Sequence, residues 1–174
     1  KSREAERQVL ASVARFLQRP ITETPGEGKH ACDFTTSCGL RGDVKIFSQE
    51  LVYLEVTQIR RGVVWPGWYQ EYLRLDRMGG LLTLNTRFSR YHNGTVIKIR
   101  WLPWRGIVGY AETETPHENR FGSFISIDPT RIEHYWLGDY LTVASRYGED
   151  HIAFDTSRIH ANNQLNIPAL LEWF

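Results

Sequence analysis

The sequence predicts an α/β fold, with a mixed central β-sheet flanked by helices and a β-rich C-terminal half. Three observations carry this. Residues 2–18 hold an apolar stripe at helical spacing. Short runs such as DVKIF and LVYLEVTQ alternate or cluster apolar residues as strands do. A helix-like segment, 66–78, then lies between strand-like runs, and a strand, helix, strand order calls for a right-handed crossover within a mixed sheet.

Along the chain, Ser2 suits a helix cap and Glu4 and Glu6 suit the positive end of the helix dipole. Ala5, Val9, Leu10, Val13, Phe16 and Leu17 form the stripe, and Pro20 stops it. Residues 22–31 read as a loop rich in turn formers. Residues 43–47 and 51–58 read as a hairpin turning at Ser48, Gln49 and Glu50. Pro66 suits a first helical turn, and Gly79-Gly80 suits a helix stop before the apolar strand 81–86. In the second half, Asn93-Gly94 reads as a two-residue hairpin turn. Residues 121–127, 140–145 and 151–156 read as strands, and Pro168 opens a short apolar helix. Residues 1–90 form one expected unit and 91–174 a β-rich extension sharing its core.

The chain has 174 residues, 41% apolar and 24% charged, which suits a folded core. Its formal net charge is +1, so any nucleic-acid binding needs a local basic cluster. Aromatics reach 13%, with six Trp. Trp65, Trp68, Trp101 and Trp104 are candidates for base stacking, with core packing as the alternative use. Pro103 interrupts the strand pattern at 101–106, so Trp104 and Arg105 read as an exposed aromatic-basic loop. Cys32 and Cys38 lack partners for a zinc site and read as free thiols in a reducing compartment. No apolar run reaches membrane-spanning length, and no N-terminal signal peptide is read. The chain begins at Lys1 rather than Met, which fits a piece of a longer polypeptide. The expected location is cytoplasmic, or nuclear in a eukaryote.

The hairpin reading sets Asp43 opposite Glu55, each six residues from Gln49. Directly opposed carboxylates repel, and a divalent cation relieves the repulsion. A register slip or a neighbouring Arg would relieve it without a metal. Lys45 shares the face of Asp43.

These residues resemble the PD-(D/E)xK nuclease superfamily, most closely its archaeal Holliday-junction resolvase branch. The resemblance spans residues 2–86. It rests on a Glu-bearing first helix, Gly42-Asp43, Glu55-Val56-Thr57, an amphipathic helix with Gln70, and the strand after Gly80. It implies a restriction-endonuclease-like fold and metal-dependent hydrolysis of phosphodiester bonds in DNA. Asp43, Glu55 and the Val56 carbonyl would hold Mg²⁺ or Mn²⁺, with Glu4 or Glu6 completing the shell. The family lysine falls at Thr57. Either Lys45 supplies the charge, or Thr57 or Gln58 suffices, or the site no longer cuts. Arg41, Arg60, Arg61, Arg74, Arg77, Trp104 and Arg105 are the expected nucleic-acid contacts, and the β-rich C-terminal half is expected to form part of the substrate surface or of a homodimer surface. Two alternatives stand beside the DNA endonuclease: a catalytically degenerate binding module for nucleic acid or protein, and an RNA endonuclease.

Overall fold

The structure, a computed structural model, describes residues 2–24, 32–89, 94–144, 150–154 and 167–174. Its elements run α1 (Ser2–Leu17), β1 (Ile21–Glu23), β2 (Phe34–Thr36), β3 (Arg41–Phe47), β4 (Val52–Arg60), β5 (Val63–Pro66), α2 (Trp68–Arg74), β6 (Met78–Ser89) and β7 (Gly94–Pro103). They continue with α3 (Trp104–Thr113), β8 (His117–Asn119), β9 (Gly122–Ile127), β10 (Tyr135–Ala144), β11 (Asp150–Phe154) and α4 (Ile167–Leu170).

The strands form two sheets. The main sheet has the order β1-β2-β3-β6-β7-β10-β11, and the second has the order β5-β4-β9-β8. Among the described residues of the main sheet, only β3 and β6 pair in parallel. The fold is therefore a mixed sheet flanked by helices, with a strand-rich C-terminal half. Among the described residues no helix is long and apolar enough to cross a membrane.

Side-chain alternation gives the main sheet two apolar faces. On one, the α1 stripe Val9, Leu10, Val13 and Leu17 packs on Phe34, Val44, Leu82, Leu84 and Trp101. The C-terminal Trp173 and Phe174 close the same cluster. On the other, Leu81 and Leu102 pack with Val52, Leu54, Ile125 and Ile127 of the second sheet and with Tyr72, Ile107 and Ala111 of α2 and α3. Each such fully buried aliphatic side chain contributes about 1.5–3 kcal/mol.

The expected hairpin of 43–47 with 51–58 does not form. Both edges of β3 are taken, by β2 and by β6, and β4 pairs with β5 and β9 in the other sheet. Asp43 lies beside Leu81 and Glu55 beside Phe124. Val44 and Val52 belong to different cores, so burial of both separates the strands that a local turn would have joined.

Other elements shift for stated reasons. The helix expected over 66–78 covers only Trp68–Arg74, because Pro66 pairs with Thr57 at the end of β5. Gly79 and Gly80 belong to β6 rather than to a helix stop. A Cβ on Gly80 would run into the Leu102 carbonyl and the Trp101 ring, so the glycine serves close strand approach. Ser89 pairs with Gly94 at the ends of β6 and β7, and the turn expected at Asn93-Gly94 lies outside the described residues. The loop expected over 22–31 contains the start of a meander, since Ile21–Glu23 pairs with Phe34–Thr36.

Candidate functional site

Asp43 meets a carboxylate, but a different one. The β2–β3 hairpin is closed by Thr36 N–H to the Leu40 carbonyl at 2.8 Å and Gly39 N–H to the Thr36 carbonyl at 2.9 Å. Gly39 adopts φ +80°, a left-handed conformation that glycine takes without a Cβ clash. This turn fixes the register Phe34 to Gly42 and Thr35 to Arg41. One step further along, Asp33 faces Asp43. Asp33 N–H donates to Asp43 Oδ1 at 3.1 Å, and Val44 N–H donates to Asp33 Oδ2 at 2.8 Å.

Alternation puts Lys45 on the same face as Asp43. Its Nζ lies 3.6 Å from Asp43 Oδ2 and 4.0 Å from the centre of the Trp68 ring. The Tyr72 hydroxyl, from α2, donates to the same Asp43 oxygen. The α2 helix thus holds the site from above with a cation–π contact and a hydrogen bond, while Trp68 stacks on Tyr72 at 5.7 Å. Asp43 is only 5% exposed.

The electrostatics follow from burial and like charge. Burial pushes the Asp33 carboxyl up to about 8, and the hydrogen bond and charge of Asp43 push in the same direction. The Val44 N–H opposes this, and the charge of Glu6 on α1 adds to the rise. Burial and the adjacent Asp43 also raise the Tyr72 hydroxyl, so it stays a donor. Cys32, buried next to the pair, is pushed up to about 12 by burial and then by Asp43, which makes it an inert thiol.

The remaining expected site residues do not converge here. Glu55 lies exposed on the second sheet and accepts a hydrogen bond from Gln58. Thr57 hydrogen-bonds Ser123, with 2.6 Å between their hydroxyl oxygens. The Val56 carbonyl, expected as a ligand, already accepts from Gly67 N–H at 2.9 Å and Gln70 Nε2 at 2.7 Å. Glu6 is near enough to act on Asp33; the side chain of Glu4 lies outside those described.

Of the expected nucleic-acid contacts, Trp104 and Arg105 are used otherwise. The segment after Pro103 is helix α3, not a loop, despite Gly106 and Gly109. Trp104 packs on Tyr69 at 5.7 Å and Tyr72 at 5.6 Å. Arg105 makes a bidentate pair with Glu133 at 2.8 and 2.6 Å and lies over the Trp173 ring. Trp101 is fully buried. The Arg77 guanidinium donates to the Cys38 carbonyl at 3.1 Å and props the β2–β3 turn. Arg41, Arg60, Arg61 and Arg74 are exposed.

Asp33 is the residue that sequence reasoning missed. Its signal was Asp43-Val44-Lys45, which is itself a D-x-K triplet, preceded ten residues earlier by an aspartate. Among the described residues, no three or more His, Cys, Asp or Glu side chains are grouped as a metal cage. In comparisons with known proteins, no family model, curated protein or solved structure matches this chain.

Proposed function

We propose that this chain is a divalent-metal-dependent nuclease of the PD-(D/E)xK type, hydrolysing phosphodiester bonds in DNA, with its site at Asp33, Asp43 and Lys45. The observation that carries this reading is the pair of opposed carboxylates with an ammonium on the same face of β3. Asp43-Val44-Lys45 takes the part of the (D/E)xK triplet and Asp33 that of the preceding acid, one strand earlier than the sequence pattern suggests. Lys45 then supplies the lysine that the Glu55-Val56-Thr57 alignment lacks.

The donor set fits Mg²⁺ or Mn²⁺. Such an ion keeps several waters and needs only one or two carboxylates, so Asp33 and Asp43 suffice without a larger cage. Burial is the main cause of the raised Asp33 carboxyl, and a cation would offset the charge of Asp43 that adds to it. When bound, the metal supplies an acidified water and neutralises charge on the phosphate. Asp33 and Asp43 would hold it, and Glu6 would reach it directly or through water. Lys45 would orient the attacking water and offset negative charge developing on the phosphoryl oxygens. Tyr72 and Trp68 hold Asp43 and Lys45 in place for that task.

The test is cleavage of labelled duplex, branched and single-stranded DNA, and of RNA, with Mg²⁺, Mn²⁺ or EDTA. Metal-dependent cutting of DNA that Asp43→Asn and Lys45→Met abolish supports the reading. Cutting of RNA alone would move it to an RNA endonuclease. No cutting of any substrate, with no metal-dependent rise in melting temperature, would leave a binding module.

A further inference from the structure

The second sheet turns one face to the core and the other to solvent, and the solvent face is unusually aromatic. Tyr53 and Phe124 lie edge to face at 5.7 Å, and His117 packs on Phe124 at 5.3 Å. Beside them a pocket of about 220 Å³ is lined by Tyr53, Phe124, Phe121, Thr57, Ser123 and Glu55. That is smaller than the ~300 Å³ at which sites for drug-sized ligands begin, but it admits one flat ring.

The same end of the sheet is basic. Residues 60–63 turn β4 into β5 with Arg61 at φ +52° and Gly62 at φ +74°. Positive φ at both central residues is what a two-residue hairpin turn requires. The effect is to carry Arg60 and Arg61 at the tip of a projecting hairpin. Ile59 N–H donates to the Phe121 carbonyl at 2.8 Å, which brings the β8–β9 turn alongside that tip. Arg120, in the turn, lies over the Phe121 ring at 4.7 Å. Among the described residues, Arg60, Arg61 and Arg120 have no carboxylate partner. Phe121 is 64% exposed and Trp65 52%, and Ile59, Val63 and Val64 are exposed too. Apolar rings open to water next to unpaired guanidinium groups match one chemistry above others: bases that stack, joined by phosphates that need cations.

We propose that the outer face of the second sheet is a stacking platform for unpaired nucleotides. Phe121, Phe124 and Tyr53 take the bases, and Arg60, Arg61 and Arg120 take the phosphates. Glu55 is the acid among the residues that line this pocket. The Glu55 carboxylate is placed to accept from a base amino group, so this residue is assigned to base recognition instead of metal binding. The site shares no residue with the Asp33, Asp43 and Lys45 cluster and stands whether or not that cluster cuts.

The experiment is fluorescence anisotropy in EDTA with a labelled oligothymidylate of ~12 nucleotides, within the site sizes of sheet platforms, and with a duplex of the same length. Wild type is expected to bind the single strand more tightly than the duplex. Phe121→Ala, at an exposed position that folding does not need, is expected to weaken single-strand binding roughly 5- to 150-fold. The double variant Arg60→Gln/Arg61→Gln is expected to flatten the salt dependence of the logarithm of the binding constant by about 0.7 per lost phosphate contact. Unchanged single-strand affinity in Phe121→Ala, or a duplex bound as tightly as the single strand, overturns the proposal. So does a wild-type dimer that Phe121→Ala or Val64→Ser dissociates, which would make this face a contact between copies. Oligonucleotide binding that depends on Phe121 in a protein that never cuts would defeat the nuclease reading and leave the platform standing.

Discussion

Replacing Asp33 by Asn should stabilise the metal-free protein at alkaline pH. The Asn side-chain oxygen can still accept the Val44 N–H that Asp33 Oδ2 accepts at 2.8 Å. What disappears is the second negative charge opposite Asp43. Cross-strand partners have Cβ atoms about 5 Å apart. Two unit charges at about that separation, at an effective dielectric of ~20, repel by about 3 kcal/mol. Lys45, 3.6 Å from Asp43, offsets part of this, leaving about 1–3 kcal/mol. For a chain of this length that is a rise of roughly 2–12 °C in Tm. The pH dependence has a definite sign. A carboxyl raised on folding stabilises the native state while it is protonated, and that stability is lost as pH rises from its ordinary 3.8 through about 8. Asp33→Asn should therefore match wild type near the acid end of this window and exceed it above pH ~8. The assay is thermal unfolding followed by circular dichroism in EDTA across that range. A variant less stable than wild type on the alkaline side, or a difference that does not change with pH, would refute the opposed-carboxylate account.

Lys45→Met should lower kcat about 100- to 1000-fold with little change in KM, as expected for a charge that acts in the transition state, measured by single-turnover cleavage. Tyr72→Phe removes a buried donor to Asp43 and should cost about 1–3 kcal/mol in urea unfolding. Gly80→Ala puts a Cβ against the Leu102 carbonyl and should destabilise by about 1–3 kcal/mol; an unchanged unfolding midpoint would contradict the packing of β6 on β7.

The sequence made Asp43 and Lys45 visible, because alternation along a single strand is local. It hid Asp33 for a physical reason. Phe34–Thr36 is only three residues long, too short to show a strand period, and it follows a stretch of turn formers. The pairing of β3 with β4 was misread because two apolar runs around a short polar link satisfy hairpin rules locally. The parallel contact of β3 with β6 depends instead on burying Val44 with Leu82 and Leu84, more than thirty residues away. Glycines misled in the same way. Gly79 and Gly80 look like a helix stop, and Gly106 weakens a helix signal that Ile107 and Ala111 in fact carry. In each case long-range packing overrode a local preference. The sequence set Glu55 opposite Asp43, and the structure sets Asp33 there instead.

The most direct test of the central claim is Mn²⁺ binding followed by electron paramagnetic resonance on wild type, Asp43→Asn, Asp33→Asn and Glu55→Gln. Wild type and Glu55→Gln are expected to bind Mn²⁺ alike, while either aspartate variant loses the bound signal. Binding that survives in both aspartate variants, or that is lost in Glu55→Gln, would contradict that claim.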